Sequence, residues 1–138
     1  MDAKDIKFTD DGKAIWASMG DYNLISPNHA HRIELQYMGE PPHGDSYHHG
    51  IIDGQPFPGY LWGCNFAFSS CSRYFVSSWM TKFFERFTVV VDLHAKSYFV
   101  LPEYLYDFKV CWPLIVGVGK LSDGKQYSFN GNEQWLQY

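Results

Sequence analysis

The sequence lacks the charge balance that marks several classes of binding protein. Against 15 aspartates and glutamates it carries only 11 lysines and arginines, which gives a formal net charge of -4 at pH 7. Nucleic acids and anionic membranes prefer a basic surface, so no nucleic acid and no membrane is expected as the main partner. A basic protein partner is compatible with this charge.

Cysteine is also scarce, with three residues at Cys64, Cys71 and Cys111. An odd number without paired spacing does not indicate a disulfide framework, and we expect buried free thiols in a reducing compartment. The N-terminal residues 1–13 are charged and contain no apolar segment, so no signal peptide is predicted. The apolar runs are too short to span a bilayer. Together these absences predict a cytoplasmic protein.

No apolar pattern with the helical period extends over a helix of ordinary length. The chain is instead rich in aromatic residues, at 19% of its length, and these favour strands. We therefore predict a mainly β fold with little helix, forming a single domain over residues 1–138. An antiparallel sheet, a sandwich or a partly open barrel built from hairpins would each fit this pattern.

The strongest pattern lies between Phe66 and Leu101, where apolar runs alternate with short polar turns. The run Val89-Val90-Val91 predicts a strand that is buried on both faces. The whole stretch is predicted to be a β-meander, with strands at residues 64–68, 73–79, 87–93 and 98–101.

The N-terminal half shows weaker signals. Residues 5–19 predict a hairpin about the Asp11-Gly12 turn, which suits positive φ, and residues 20–30 predict a loop. His31–Met38 alternates cleanly between apolar and polar residues, as a half-exposed strand does. The Gly- and Pro-rich residues 39–63 predict a long irregular segment with short strands, and such segments often carry function.

The C-terminal part predicts a second hairpin. Residues 104–109 indicate a short strand or helical turn, and Pro113 indicates an edge strand or bulge with pairing from Leu114 onward. Asp123-Gly124 is a second turn signal. The aromatic tail, residues 133–138, is predicted to dock on the core.

Histidines are the candidates for metal binding, because neutral imidazole together with carboxylate suits zinc or a similar ion. Their spacing matches no closed zinc motif, so solvated loop residues are the preferred interpretation, and no metal and no cofactor is expected. A metal-dependent enzyme that uses the histidine loop stays open as an alternative. The weak candidate ligands are His29, His31, His43, His48 and His49.

Acidic residues and tyrosines concentrate in the irregular segment and again after Pro102. Protein interfaces use such combinations of exposed aromatic and charged side chains. An equally good alternative is that the tyrosines belong to the core and the acids are merely solvated. The candidate partner-binding residues are Glu40, Asp45, Tyr47, Asp53, Glu103, Tyr104, Tyr106 and Asp107.

Part of the meander resembles a β-propeller blade of the WD or dipeptidyl-peptidase kind. The matching residues are Phe68–Phe75 (FSSCSRYF), similar to the turn of such blades, and Val89–Leu93 (VVVDL), similar to their return strand. A single blade cannot bury its own faces, and the pattern does not repeat in this chain. The likeness is therefore interpreted as a local meander and not as a propeller.

As a whole, the chain resembles the small bacterial immunity proteins that neutralise contact-dependent or type VI toxins, since it is short, acidic, aromatic-rich and free of enzyme motifs. This resemblance implies an antitoxin rather than an enzyme, which binds one cognate toxin domain, often a basic nuclease. Inhibition would come from covering the toxin's active site or a nearby surface. The alternative function is a small β-domain that binds a ligand or another protein component.

Overall fold

The computed structural model describes residues 3–41 and 45–138. Within these residues the chain forms strands joined by turns and no helix, which confirms the predicted mainly β fold. The strands are β1 (Lys4–Lys7), β2 (Ile15–Trp16), β3 (Tyr22–Ile25), β4 (Arg32–Gly39), β5 (Tyr47–Ile52), β6 (Gln55–Pro56), β7 (Tyr60–Phe68), β8 (Tyr74–Met80), β9 (Arg86–Asp92), β10 (Ser97–Val100), β11 (Phe108–Cys111), β12 (Leu114–Gly117), β13 (Gln126–Ser128) and β14 (Leu136–Gln137).

The described strands form two sheets. The larger sheet has the order β1-β3-β4-β5-β7-β8-β9-β10-β14, with β2 paired to β7 and β6 paired to β5. The smaller sheet has the order β11-β12-β13. β1 lies parallel to β3, and the other pairs are antiparallel.

The larger sheet packs one of its faces upon itself. Leu24 and Ile33, from β3 and β4, belong to the same buried cluster as Phe75 and Val91, from β8 and β9. Strands this far apart in the sheet order meet only if the sheet bends over. Each fully buried apolar side chain of this size stabilises the fold by roughly 1.5–3 kcal/mol, so this cluster is the main core.

The second core lies between the two sheets. Ala67, Val76 and Val90 point from the opposite face of β7, β8 and β9 toward Phe108 and Ile115 of the smaller sheet. Because successive side chains of a strand alternate between its faces, the middle of the meander is buried on both sides. This confirms the prediction for Val89-Val90-Val91, all of which have 0% exposure. The predicted strand His31–Met38 is likewise confirmed as β4, with Ile33 and Leu35 buried.

The predicted N-terminal hairpin is wrong. β1 does not pair with β2; it lies beside β3, while Ile15 of β2 pairs with Phe66 of β7. The segment between β1 and β2 runs from the main core to the second core. Gly12 has φ of 75°, as predicted, and a Cβ there would collide with the carbonyl oxygen of Val110. The Val110 N–H donates to the Gly12 carbonyl at 2.8 Å, so this turn docks on the smaller sheet.

The predicted loop over residues 20–30 is also wrong, because it contains β3. Its polar Asn23 is buried, and the Asn23 side chain donates to Asp5 Oδ1 at 2.9 Å. This bond to the neighbouring strand allows a polar residue inside a sheet, since the buried amide keeps a hydrogen-bond partner.

Residues 39–63 are far more regular than predicted. β5, β6 and the start of β7 occupy much of the described part of this segment. Gly50 is a close-packing position and not a turn, because a Cβ would lie 2.7 Å from the Leu61 side chain. His48 is fully buried, and its Nε2 pairs with the Gly20 carbonyl at 2.9 Å.

The three predictions for the C-terminal part have different outcomes. Residues 104–107 form no strand or helical turn, and the strand β11 begins at Phe108. Pro113 lies in the turn before β12, so pairing from Leu114 is confirmed, whereas β12 is the middle strand of its sheet and not an edge. The tail is docked as predicted: β14 pairs with β10, and Trp135 packs on the second core.

The three cysteines are free thiols, but their burial differs from the prediction. Cys64 is buried in β7, whereas Cys71 and Cys111 are exposed in turns or at a strand end. Exposed thiols at these positions arise because both residues lie where the chain leaves a sheet.

Candidate functional site

A group of acidic and aromatic side chains lies on the outer face of β5, β7 and β8, beside the smaller sheet. Tyr47 on β5 pairs with Trp62 on β7, so the two side chains share a face. Leu61, the residue before Trp62, points to the opposite face, into the main core. We call this group the acidic–aromatic surface, and it comprises Glu40, Asp45, Tyr47, Tyr60, Trp62, Phe83, Phe84, Tyr104 and Tyr106.

Ring contacts connect the aromatic part of this surface. The Tyr47 ring lies 5.1 Å from Tyr60 and 6.0 Å from Phe84, both edge to face. The Trp62 ring lies 5.8 Å from Tyr104. Such pairs contribute roughly 0.5–1.5 kcal/mol each beyond simple burial, so the rings hold one another in place.

Charge surrounds these rings on both sides. The Arg86 guanidinium lies 4.6 Å from the centre of the Trp62 ring, a cation–π distance. Burial and the negative charge of Asp45 raise the pKa of Tyr106. Burial in turn raises the pKa of Tyr104 to about 12, although Ser78 Oγ donates to the Tyr104 hydroxyl at 3.2 Å. Both phenols are therefore neutral at physiological pH and act as hydrogen-bonding groups, not as bases.

The charges of Asp45 and Glu40 both act on the buried thiol of Cys64. Burial raises the pKa of this thiol, and the charges of Asp45 and Glu40 raise it further. A protonated, buried Cys64 is a packing residue and not a nucleophile. The two carboxylates form the acidic margin of the surface.

The structure brings together five of the eight predicted partner-binding residues: Glu40, Asp45, Tyr47, Tyr104 and Tyr106. Asp107 follows Tyr106 but turns away, and its Oδ1 accepts the backbone N–H of Phe108 at 2.8 Å. Asp53 and Glu103 lie elsewhere. Asp53 binds the Arg32 N–H and His31 at the β5–β6 turn, and Glu103 lines a small crevice with Leu105 and Tyr127.

The candidate metal-ligating histidines do not share one place. His31 Nδ1 pairs with Asp53 Oδ2 at 2.7 Å and its ring lies 5.4 Å from His94, while His29 is exposed with φ of 64°. His48 and the adjacent His49 point to opposite faces of β5. Burial lowers the pKa of His48, which keeps it neutral. Within residues 3–41 and 45–138 no three potential ligands converge, and His43 lies outside these residues.

A second aromatic region lies at the joint between the sheets, around a cleft of about 350 Å³. Its polar groups already bind one another: Arg73 forms two bonds with Asp92, and Glu133 accepts the Tyr127 hydroxyl at 2.6 Å. Its rings also stack closely, with Tyr74 and Trp112 only 3.4 Å apart. The charged groups of the cleft are therefore already bonded within the protein.

Sequence reasoning missed Phe83 and Phe84, in the turn between β8 and β9. They are 75% and 47% exposed, and Phe84 has φ of 63°. Two consecutive large apolar residues in a turn break the usual polar pattern of turns, and that signal was present in the sequence. Trp62 was missed because its place opposite Tyr47 depends on strand pairing. Its buried Nε1 has no hydrogen-bond partner among the described residues.

Comparison with known proteins gives no relative: no family model, no curated protein and no solved structure matches this chain. Among the described residues there is no helix of the length and apolar character that crossing a membrane requires.

Proposed function

We propose that this chain is an immunity protein that binds a cognate bacterial toxin domain in the cytoplasm and neutralises it. The acidic–aromatic surface covers the toxin's active site or a surface beside it. The partner presents basic residues, as a nuclease domain does. The chain acts by association and performs no catalysis of its own.

One observation carries this proposal: carboxylates and partly exposed aromatic rings are adjacent on one surface. Glu40 is exposed, its charge and that of Asp45 both act on Cys64, and Tyr47 packs on the partly exposed Phe84. Interfaces combine aromatic anchors, which contribute most of the affinity, with charges that steer the partner into place. The net charge of -4 extends the attraction for a basic partner beyond the contact itself.

Co-expression with the protein encoded immediately upstream tests the proposal. We expect that protein to arrest growth when expressed alone, and this chain to restore growth and to co-purify with it. A solitary gene, or a neighbour whose toxicity this chain does not relieve, contradicts the proposal.

A charge-reversal pair locates the surface. Glu40→Lys combined with Asp45→Lys should slow association at low salt about tenfold or more, because it removes the attraction that steers encounter. Asp10→Lys is the matched control for Glu40→Lys alone, because each reverses one exposed acid and Asp10 lies beside Pro27 and Ser70, at the other end of β7 from Trp62. Equal effects of both changes would indicate only a dependence on net charge. That result would move the binding site away from Glu40 and Asp45.

A further inference from the structure

The β8–β9 turn presents apolar surface that the fold does not use. Phe83 is 75% exposed and belongs to neither buried core. Phe84 is 47% exposed and packs on the Tyr47 ring. Exposed apolar residues occur singly on many proteins, but two adjacent ones at a protruding turn form a patch that indicates binding.

The turn is held in one conformation. Phe84 N donates to the Thr81 carbonyl at 2.8 Å, and Thr81 N donates to the Glu85 carbonyl at 3.1 Å. Thr81 Oγ1 accepts the N–H groups of Phe83 at 3.2 Å and Glu85 at 3.3 Å. These bonds fix Phe84 at φ of 63°, a conformation that a bulky side chain rarely adopts. Strain of this kind concentrates at binding sites, where it holds a side chain ready for its partner.

The surroundings of the turn favour a protein over a lipid surface as its partner. Phe84 is continuous through Tyr47 with the acidic margin formed by Glu40 and Asp45. The Lys82 ammonium lies 5.7 Å from the Phe83 ring, but the carboxylates of the margin and the net charge of -4 oppose the approach of an anionic membrane. A protein with an apolar pocket beside lysines or arginines satisfies both the rings and the acids.

We propose that Phe83 and Phe84 are the apolar anchor of the interface and insert into a pocket on a partner protein whose rim is basic. This inference rests on the proposed function, and it assigns to the turn the part of the affinity that the acidic residues do not supply. Rigid, exposed aromatic anchors lose little conformational entropy on binding, and their loss is felt mainly in the dissociation rate.

The test measures binding of purified Phe83→Ser and Phe84→Ser variants to the protein encoded immediately upstream. We expect each variant to bind at least tenfold more weakly, through faster dissociation, with a midpoint of thermal unfolding no lower for Phe83→Ser than for the parent chain. Leu136→Ser is the matched control, because Leu136 is 55% exposed on β14, which lies across β10 from Val91 and thus at the opposite end of β9 from the turn. Its affinity should equal that of the parent.

The outcomes separate the two proposals. If the parent chain binds and Phe83→Ser binds equally well, the anchor is wrong while the proposed function stands. If the parent chain does not bind the upstream protein, the proposed function fails, and the anchor fails with it. Vesicles of phosphatidylcholine with and without phosphatidylserine form the third arm. Binding of the parent chain to vesicles that Phe83→Ser abolishes would overturn the protein anchor in favour of membrane insertion.

Discussion

Two aromatic regions of this molecule have similar composition and opposite surroundings. At the joint between the sheets, Tyr74, Trp112 and Phe129 stack on one another, and Phe129 is only 9% exposed. At the β8–β9 turn, Phe83 is 75% and Phe84 47% exposed, and the backbone of Phe84 is strained. The first region is covered on both sides by stacked rings, whereas in the second Phe84 meets the Tyr47 ring, Phe83 meets only the Lys82 ammonium, and much apolar surface faces solvent.

This contrast shows why aromatic content alone does not locate a binding site. Rings at the joint close the gap between two sheets, and the polar groups around them are committed to internal bonds. Rings at the turn contribute nothing to either core and are kept exposed by a network of backbone bonds. A packing cluster is buried and its polar neighbours bond to one another, whereas a docking cluster is exposed and its backbone is strained.

The largest expected effect separates the two regions by stability. Phe129→Ala should lower the free energy of unfolding by about 3–5 kcal/mol, because it leaves a cavity in a stacked cluster. Phe83→Ala should change it by less than about 0.5 kcal/mol, since the ring is mostly in water. Urea denaturation of both variants measures the difference, and equal losses would end the contrast between packing and docking rings.

The next effect concerns the ion pair that closes the joint. Burial by itself raises the pKa of Asp92, but the bonds from Arg73 and from the N–H groups of Ala95 and His94 outweigh it, so that the pKa is lowered from 3.8. A carboxylate with a depressed pKa stabilises the fold above its unfolded pKa, and this contribution is lost as the pH falls through the folded value.

Asp92→Asn should therefore cost about 1–2 kcal/mol at neutral pH, less than a fully buried pair because Arg73 is partly in solvent. The difference from the parent chain should shrink as the pH falls below the unfolded pKa of about 3.9 and through the lower folded value. Unfolding free energies measured across this range test the sign. A deficit that stays constant with pH would mean that the carboxylate charge does not stabilise the joint.

The smallest effect isolates the backbone strain at the turn. Phe84→Gly and Phe84→Ala remove the same ring, but only glycine adopts a φ of 63° without steric cost. We expect the glycine variant to be more stable than the alanine variant by about 1 kcal/mol. Thermal unfolding of the pair measures it. An alanine variant as stable as the glycine variant would show that the turn relaxes when the ring is gone, so that Phe84 is not held under strain.

Local patterns predicted the parts of the fold in which each residue follows its own preference. The alternation of Ile33 and Leu35 and the run Val89-Val90-Val91 both correspond to observed strands. β3 was missed because the burial of Asn23 depends on Asp5 of a neighbouring strand. The central part of β5 was missed because His48 and Gly50 are residue types typical of loops. In the fold His48 pairs with the Gly20 carbonyl, and Gly50 leaves room for the Leu61 side chain.

The candidate site was predictable in its chemistry but not in its extent. Asp45 and Tyr104 were selected by residue type, and the sheet order brings them together. Asp53 was selected for the same reason, yet the sheet order places it at another turn with His31. Phe84 could not be recognised from the sequence as strained, since its φ is imposed by Thr81 and Glu85 across the turn.

The pairing of β2 with β7 has a consequence for how the chain acquires its structure. The meander β7–β10 contains neighbours in sequence, which can find one another quickly. Ile15, by contrast, pairs with Phe66, and Lys13 forms a bridge with Lys109. Both partners are distant in sequence, so these contacts form later. We expect pulse-labelled hydrogen exchange to show protection of β8 and β9 before β2, and earlier protection of β2 would contradict this order. β2 thus leaves the ribosome before the meander and is expected to fold after it.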